Sequence, residues 1–226
     1  MSRSSQIPVL AIDGPSGTGK GTVGGHIAKT RGWHLLDSGA LYRAFAFVAK
    51  EQGIAPNDIE GINTLGQKTE FSFQISASGE VEICVNGREV SMRARGEHGG
   101  QLASMYAAVP VVRSLLIEHQ RSRRQDPGLV ADGRDMGTVI FPEADLKIFL
   151  TATLKERVKR RETQLKRQGS RVNMRFLLDE LEARDKKDIE RELSPLKPAD
   201  DSIAVSYTHL RAHETLRYLV CRLLLE

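Results

Sequence analysis

Pro8-Val-Leu-Ala-Ile12 runs directly into Asp13-Gly-Pro-Ser-Gly-Thr-Gly-Lys-Gly-Thr22. A short apolar run without polar alternation is the pattern of a strand buried on both faces. The glycine-rich stretch behind it carries the spacing GxxxxGK and leads into a helix expected to run to about Arg31. Strand, loop and helix in that order are the context a phosphate-binding loop needs. Glycines let the backbone curl so that successive N–H groups face phosphate oxygens, and the helix adds its positive N-terminal end. Gly14, Pro15, Ser16, Gly17, Thr18, Gly19, Lys20, Gly21 and Thr22 are therefore the expected cradle for ATP, with Lys20 reaching its β- and γ-phosphates.

One position departs from the commonest form of this loop. A Ser or Thr hydroxyl usually follows the lysine and binds Mg²⁺; here that position is Gly21, and the hydroxyl comes one residue later at Thr22. The GKGT form resembles the nucleoside monophosphate kinases. It implies that Mg²⁺ is held mainly by phosphates and water, with no direct protein ligand. Asp13 and Asp132 are candidate partners through water.

Outward from the loop, short apolar strands are expected at 34–37, 129–131, 147–150 and 202–205, separated by helices. Helices are read at 40–51, at 97–124 with a break near Pro110, and at 153–168 and 174–191, the last capped by Asn173. Residues 53–63 read as loop. Between them, 70–75 and 81–85 look like strands joined by a turn at 76–80, and Asn86-Gly87 is a strong hairpin signal. The fold class is α/β: a parallel five-stranded sheet flanked by helices, with a small antiparallel insert. Ligands of such sheets bind beyond the carboxyl ends of the strands.

Two motifs fall at those ends. Ser38, Tyr42 and Arg43 cluster at a helix start after the second strand, where a guanidinium matches phosphate geometry. Ala131-Asp-Gly-Arg-Asp-Met-Gly137 follows another strand and offers Asp132, Arg134 and Asp135. Charges packed beside glycine at a strand end rarely serve a core, although a capped helix alone would explain the first motif.

Composition sets the wider bounds. The 226 residues are 40% hydrophobic and 27% charged, as in ordinary soluble globular proteins. Cys84 and Cys221 form no CxxC pair or disulfide framework, which points to a reducing compartment. The first apolar run is too short for a signal peptide or a membrane span, so the expected location is the cytoplasm. The net charge is +4, and the basic excess concentrates in 155–191. Two solvated helices explain it, as does a lid facing a triphosphate. A nucleic-acid-binding ATPase is a rival, but the segment lacks interleaved aromatics.

Taken together, DGPSGTGKGT, LLDSGALYR, VADGRDMGT and ARDKKDIERELSPL resemble bacterial cytidylate kinase in order and spacing, from about Ile7 to Ala204. The resemblance implies a P-loop kinase using ATP and Mg²⁺, with CMP and dCMP as acceptors, no nucleic-acid or membrane partner, and a monomeric state. It implies that Arg43, Arg134 and Arg191 clamp the CMP phosphate. Ser104, Arg113 and Asp135 resemble its base-reading group, and Arg184 and Asp188 its ribose contacts. Arg184, Asp188 and Arg191 would share one helix face. Arg157, Arg160 and Arg161 lie on the lid that closes over ATP, with Lys20, Arg134, Arg191 and Arg157 in the catalytic set. Other acceptors (UMP, AMP or a metabolite) and a non-catalytic nucleotide-binding module stay open.

The same reading divides the chain into core (7–62), monophosphate-binding insert (63–100), core (101–152), helical lid (153–175) and core (176–205). Residues 206–226 stand apart as an atypical tail. Its SYTHLRAHET and VCRLLLE resemble peptides translated from sequencing-adapter DNA, which raises a non-native origin.

Overall fold

The computed structural model describes residues 7–75, 81–94, 99–167 and 173–206. The polar start, the turn expected at 76–80, the helix break around Gly169 and the tail beyond 206 lie outside these residues.

The apolar run after Pro8 forms β1 (Val9–Asp13), buried along its whole length. It can be so because it lies in the middle of a parallel sheet, between β6 (Leu129–Gly133) and β7 (Leu146–Thr151). β2 (His34–Asp37) flanks β6, and β8 (Ile203–Ser206) flanks β7, giving the order β2-β6-β1-β7-β8. Register aligns the polar strand ends: Asp37 and Ile12 each oppose Asp132, and Asp13 opposes Gly133. The expected five-stranded parallel sheet is present, and the loops that carry the motifs leave its carboxyl edge.

Helices cover the sheet. α1 (Lys20–Arg31) ends on Gly32 in the left-handed conformation, and its Ile27 and Ala28 pack on Leu10, Ile12 and Val130. On the opposite face, Val9, Ala11 and Ala131 meet Met136, Ile140 and Phe141. Met136 and Ile140 belong to a π turn (Met136–Ile140) that directly follows the Asp-Gly-Arg-Asp segment, and Phe141 caps its end. α2 (Ser38–Glu51) starts at Asp37, whose Oδ1 accepts the Ala40 N–H at 2.8 Å.

The antiparallel insert is β3 (Phe71–Ile75), β4 (Val81–Val85) and β5 (Arg88–Glu89), with a one-turn helix α4 (Ser91–Ala94) behind it. It is not a satellite. Phe71, Ile83 and Val85 join one buried cluster with Phe45 of α2 and with Tyr106 and Leu116 of the next two helices. Fully burying each such side chain contributes about 1.5–3 kcal/mol. Those helices, α5 (Gly99–Ala107) and α6 (Pro110–Arg121), meet at 102°, with Pro110 in the first turn of α6, as the sequence indicated. Among the described residues, no single helix is long and apolar enough to cross a membrane.

Two expectations change. The loop read at 53–63 is partly helical: α3 (Ile59–Lys68) starts on Asp58, whose Oδ1 accepts the Gly61 N–H at 2.9 Å. The segment boundary at 62/63 therefore falls inside a helix. The two basic helices are α7 (Leu154–Arg167) and α8 (Met174–Glu190), packed through Val158, Leu177 and Leu181. Asn173 caps α8 as expected, accepting from Arg175 and Phe176 N–H. But α8 ends at Glu190, and Arg191 has extended backbone. Arg191 therefore does not share a helix face with Arg184 and Asp188.

Candidate active site

The glycine-rich loop has the backbone its sequence demands. Gly14, Gly17 and Gly19 have φ of 146°, 80° and 89°, values that favour glycine. A Cβ on Gly14 would lie 2.0 Å from the Leu150 carbonyl oxygen of β7, so the loop leaves the sheet as closely as the backbone allows. Thr18 Oγ1 donates to the Pro15 carbonyl at 3.0 Å, and Lys20 Nζ donates to the same carbonyl at 3.0 Å. The lysine is buried within its own loop, and Thr22 is exposed one residue beyond Gly21.

Lys20 Nζ also lies 4.0 Å from Asp132 Oδ1. Burial, and then the charge of Arg134, push the lysine pKa down. Burial pushes Asp132 up, against the pull of Lys20, and Asp37 adds to the rise. A Cβ on Gly21 would sit 3.3 Å from Asp132 Oδ2. The residue after the lysine is thus pressed against a carboxylate, which gives a physical reason for glycine there.

Asp13 also has a structural job. Its two carboxylate oxygens accept the Met136 and Gly137 N–H groups, each at 2.8 Å. Both oxygens help fix the π turn to the end of β1, while Asp132 makes the ion pair with Lys20. Burial raises the Asp13 pKa to about 6, although the two backbone hydrogen bonds oppose the rise.

Across the edge of the sheet lies a wall of paired charges. Arg113 of α6 makes an ion pair with Asp135, both buried. Its guanidinium lies 5.8 Å from the centre of the Tyr42 ring. Arg191 Nη2 approaches the same Asp135 at 3.9 Å. Arg134 Nε donates to Asp188 Oδ2 at 2.9 Å. Burial works against the charge on Arg134, but Asp188 with Asp132 and Asp13 together outweigh it, and the pKa rises. Arg184 falls to about 10 through burial and the neighbouring Arg134. Arg43 Nη2 pairs with Asp37 Oδ2 at 3.4 Å. Buried Tyr42 has its phenol pushed up to about 12, again by burial.

The structure therefore gathers Arg43, Tyr42, Arg113, Asp132, Arg134, Asp135, Asp188 and Arg191 with Lys20 into one linked set of charges. Ser38 is buried at the start of α2. Ser104 lies half-buried on α5. On α7, Arg160 Nη1 donates to the Thr18 carbonyl at 3.1 Å and Arg157 Nη1 to the Ser16 carbonyl at 3.1 Å. Arg161 instead donates to Gln164 Oε1 of its own helix at 2.8 Å. Sequence reasoning missed Asp37 as the partner of Arg43, and Asp185, which meets Arg157 Nη1 at 2.6 Å. A helix-capping position after a strand was a signal for the first. Asp185 sits inside the quoted ARDKKDIERELSPL stretch, but nothing local pairs it with Arg157, which is distant in sequence.

The family model described as cytidylate kinase matches residues 10–222, past the point where the motif resemblance ends. A cytidylate kinase of Pseudomonas syringae pv. tomato is 47% identical over 219 residues, covering 96% of each chain. One of Pseudomonas entomophila is 48% identical over 215 residues, covering 95% of this chain and 94% of that one. Among solved structures, an uncharacterised protein from Eubacterium ventriosum shares the fold with a TM-score of 0.53 at 12% identity, covering 98% of this chain and 100% of that one. The chain belongs to the cytidylate kinase family.

Proposed function

We propose that the protein passes the γ-phosphoryl group of ATP directly to the phosphate of CMP and dCMP, giving CDP and dCDP. The observation that carries this reading is the buried Arg113–Asp135 pair standing in the same charge network as the glycine loop. Cytosine offers an amine donor beside two acceptors. A carboxylate accepts from that amine, and a guanidinium donates to the ring. Uracil would turn a second acceptor toward Asp135, a mismatch worth about 1–3 kcal/mol when buried.

The acceptor phosphate is already anionic, so no general base is needed. The task of the chain is to align two polyanions and offset their charge. Lys20 and the backbone of residues 14–22 hold the donor phosphates. Arg43, Arg134 and Arg191 hold the acceptor phosphate, and α7 closes over the loop and keeps water from competing. Mg²⁺, when bound, offsets charge on the triphosphate. The residues present fit a phosphate-held ion in that Asp132 borders the loop beside Gly21, where its carboxylate could meet the ion through water. A cytoplasmic, monomeric enzyme goes with this reading.

The test is incubation with ATP, Mg²⁺ and each of CMP, dCMP, UMP and AMP, with products separated by chromatography. CDP and dCDP should form with one ADP for each. ATP left intact in the presence of CMP would defeat the proposal.

A further inference from the structure

Asp185 lies within the ARDKKDIERELSPL stretch, where its neighbours Arg184 and Asp188 drew the attention, yet it stands where the two halves of the site meet. α8 carries Asp188, which holds Arg134 of the acceptor loop at 2.9 Å. Three residues earlier, almost one turn along the same helix, Asp185 Oδ2 lies 2.6 Å from Arg157 Nη1. That same nitrogen donates to the Ser16 carbonyl of the glycine loop at 3.1 Å. Arg157 Nε donates to the Ala152 carbonyl at 3.2 Å, which anchors the rest of the guanidinium. Because the guanidinium is planar and rigid, a carboxylate that sets one edge also sets the direction of the donor facing Ser16.

The environment makes this contact sensitive. The Arg157 side chain is 6% exposed and that of Asp185 15%. A Cβ built on Gly17 would lie 3.2 Å from the Arg157 Cβ, so loop and helix pack closely here. Arg157 is thus committed to protein partners on three sides, which makes it a residue that shapes the loop. A buried arginine deprived of its carboxylate keeps its charge and must seek another partner.

We propose that Asp185 is a positioning residue. It aims Arg157 at the Ser16 carbonyl, fixes the donor loop, and with Asp188 makes α8 a tie between the ATP and CMP halves of the site. The proposal rests on the functional reading only for the identity of the acceptor. The donor half is tested without it.

The experiment measures the dissociation constants of ATP and of CMP separately by calorimetry. The proteins are wild type, Asp185→Asn, Arg157→Lys and the double variant, each with its melting temperature recorded. Asp185→Asn should weaken ATP about tenfold, within the range expected for a network residue that touches no ligand, and leave CMP nearly unchanged. Arg157→Lys should show the same ATP-selective loss, and the double variant little more than either single one, since both remove one contact. Asp185→Glu should recover part of the loss, and it carries the ATP readout if Asp185→Asn does not fold. Unchanged ATP affinity, equal weakening of ATP and CMP, or additive losses in the double variant would each overturn the proposal. ATP titrations need neither turnover nor acceptor, so they stand even if the acceptor panel fails.

Discussion

The donor loop and the acceptor wall solve the same problem, holding phosphate, by different means. The loop is built from backbone. Its shape depends on positive φ at Gly14, Gly17 and Gly19, and its one long side chain, Lys20, folds across it. The wall is built from side chains contributed by α2, α6, the β6 loop and α8, held apart from one another by carboxylates: Asp37, Asp135 and Asp188. A backbone site tolerates little change in shape but is indifferent to the acceptor. A site of paired charges can be retuned one pair at a time, and on the proposed reading the choice of acceptor is made there.

The comparison breaks first at Lys20. Lys20→Ala should lower turnover with CMP by about a thousandfold, the upper range for losing one stabilising donor, with the circular dichroism spectrum unchanged. Turnover close to wild type would take the lysine out of the chemistry. Next, Gly14→Ala should cost about 3 kcal/mol or more in urea unfolding, because the new Cβ meets the Leu150 carbonyl and φ stays at 146°. Gly32→Ala has φ of 65° but nothing within 4 Å, and should cost about 1 kcal/mol. Equal costs would show that crowding against β7 does not shape the loop.

On the acceptor side the expected effects are selective. Asp135→Asn gives the wall an amide that can donate as well as accept. The preference for CMP over UMP in kcat/KM should shrink by about 5- to 150-fold, and CMP should bind less well because buried Arg113 loses its countercharge. Retained preference would place base reading elsewhere.

The smallest effect concerns Asp13, which joins the two regions. Its folded pKa of about 6 lies above the ordinary 3.8, so the folded protein takes up the proton more readily than the unfolded chain. Its contribution to stability is therefore fullest below the unfolded value and declines as pH rises toward the folded one. The melting-temperature advantage of wild type over Asp13→Asn should accordingly narrow across that window. A constant difference would mean that the carboxylate titrates normally.

How far each region could be read from sequence follows from how it is built. The glycine loop lies in consecutive residues, and a GxxxxGK between an apolar strand and a helix states its own geometry. The sheet was legible for a related reason: β1 and β6 are buried along their whole length, so each begins as a short apolar run. α3 was not, because Gly61, Asn63 and Gly66 are weak helix formers and its start depends on the Asp58 cap. The wall was legible in part from strand-end position, which pointed to Arg43, Arg134 and Asp135, but Arg113 and Arg191 came only by resemblance. Arg113 and Asp135 are separated by 22 positions and meet through tertiary packing, which no local pattern encodes. Arg191 looked like part of a helix face, but the helix ends one residue earlier and frees it to turn toward Asp135. Arg161 shares a basic run with Arg157 and Arg160, yet it points along its own helix.

The claim at the centre of this account is that the buried Arg113–Asp135 pair selects cytosine. The direct measurement is kcat/KM of the unmodified protein for CMP and for UMP at one saturating concentration of ATP. The account predicts a preference for CMP of about 5- to 150-fold, the range set by one buried acceptor–acceptor mismatch. Equal values, or a preference for UMP, would contradict it.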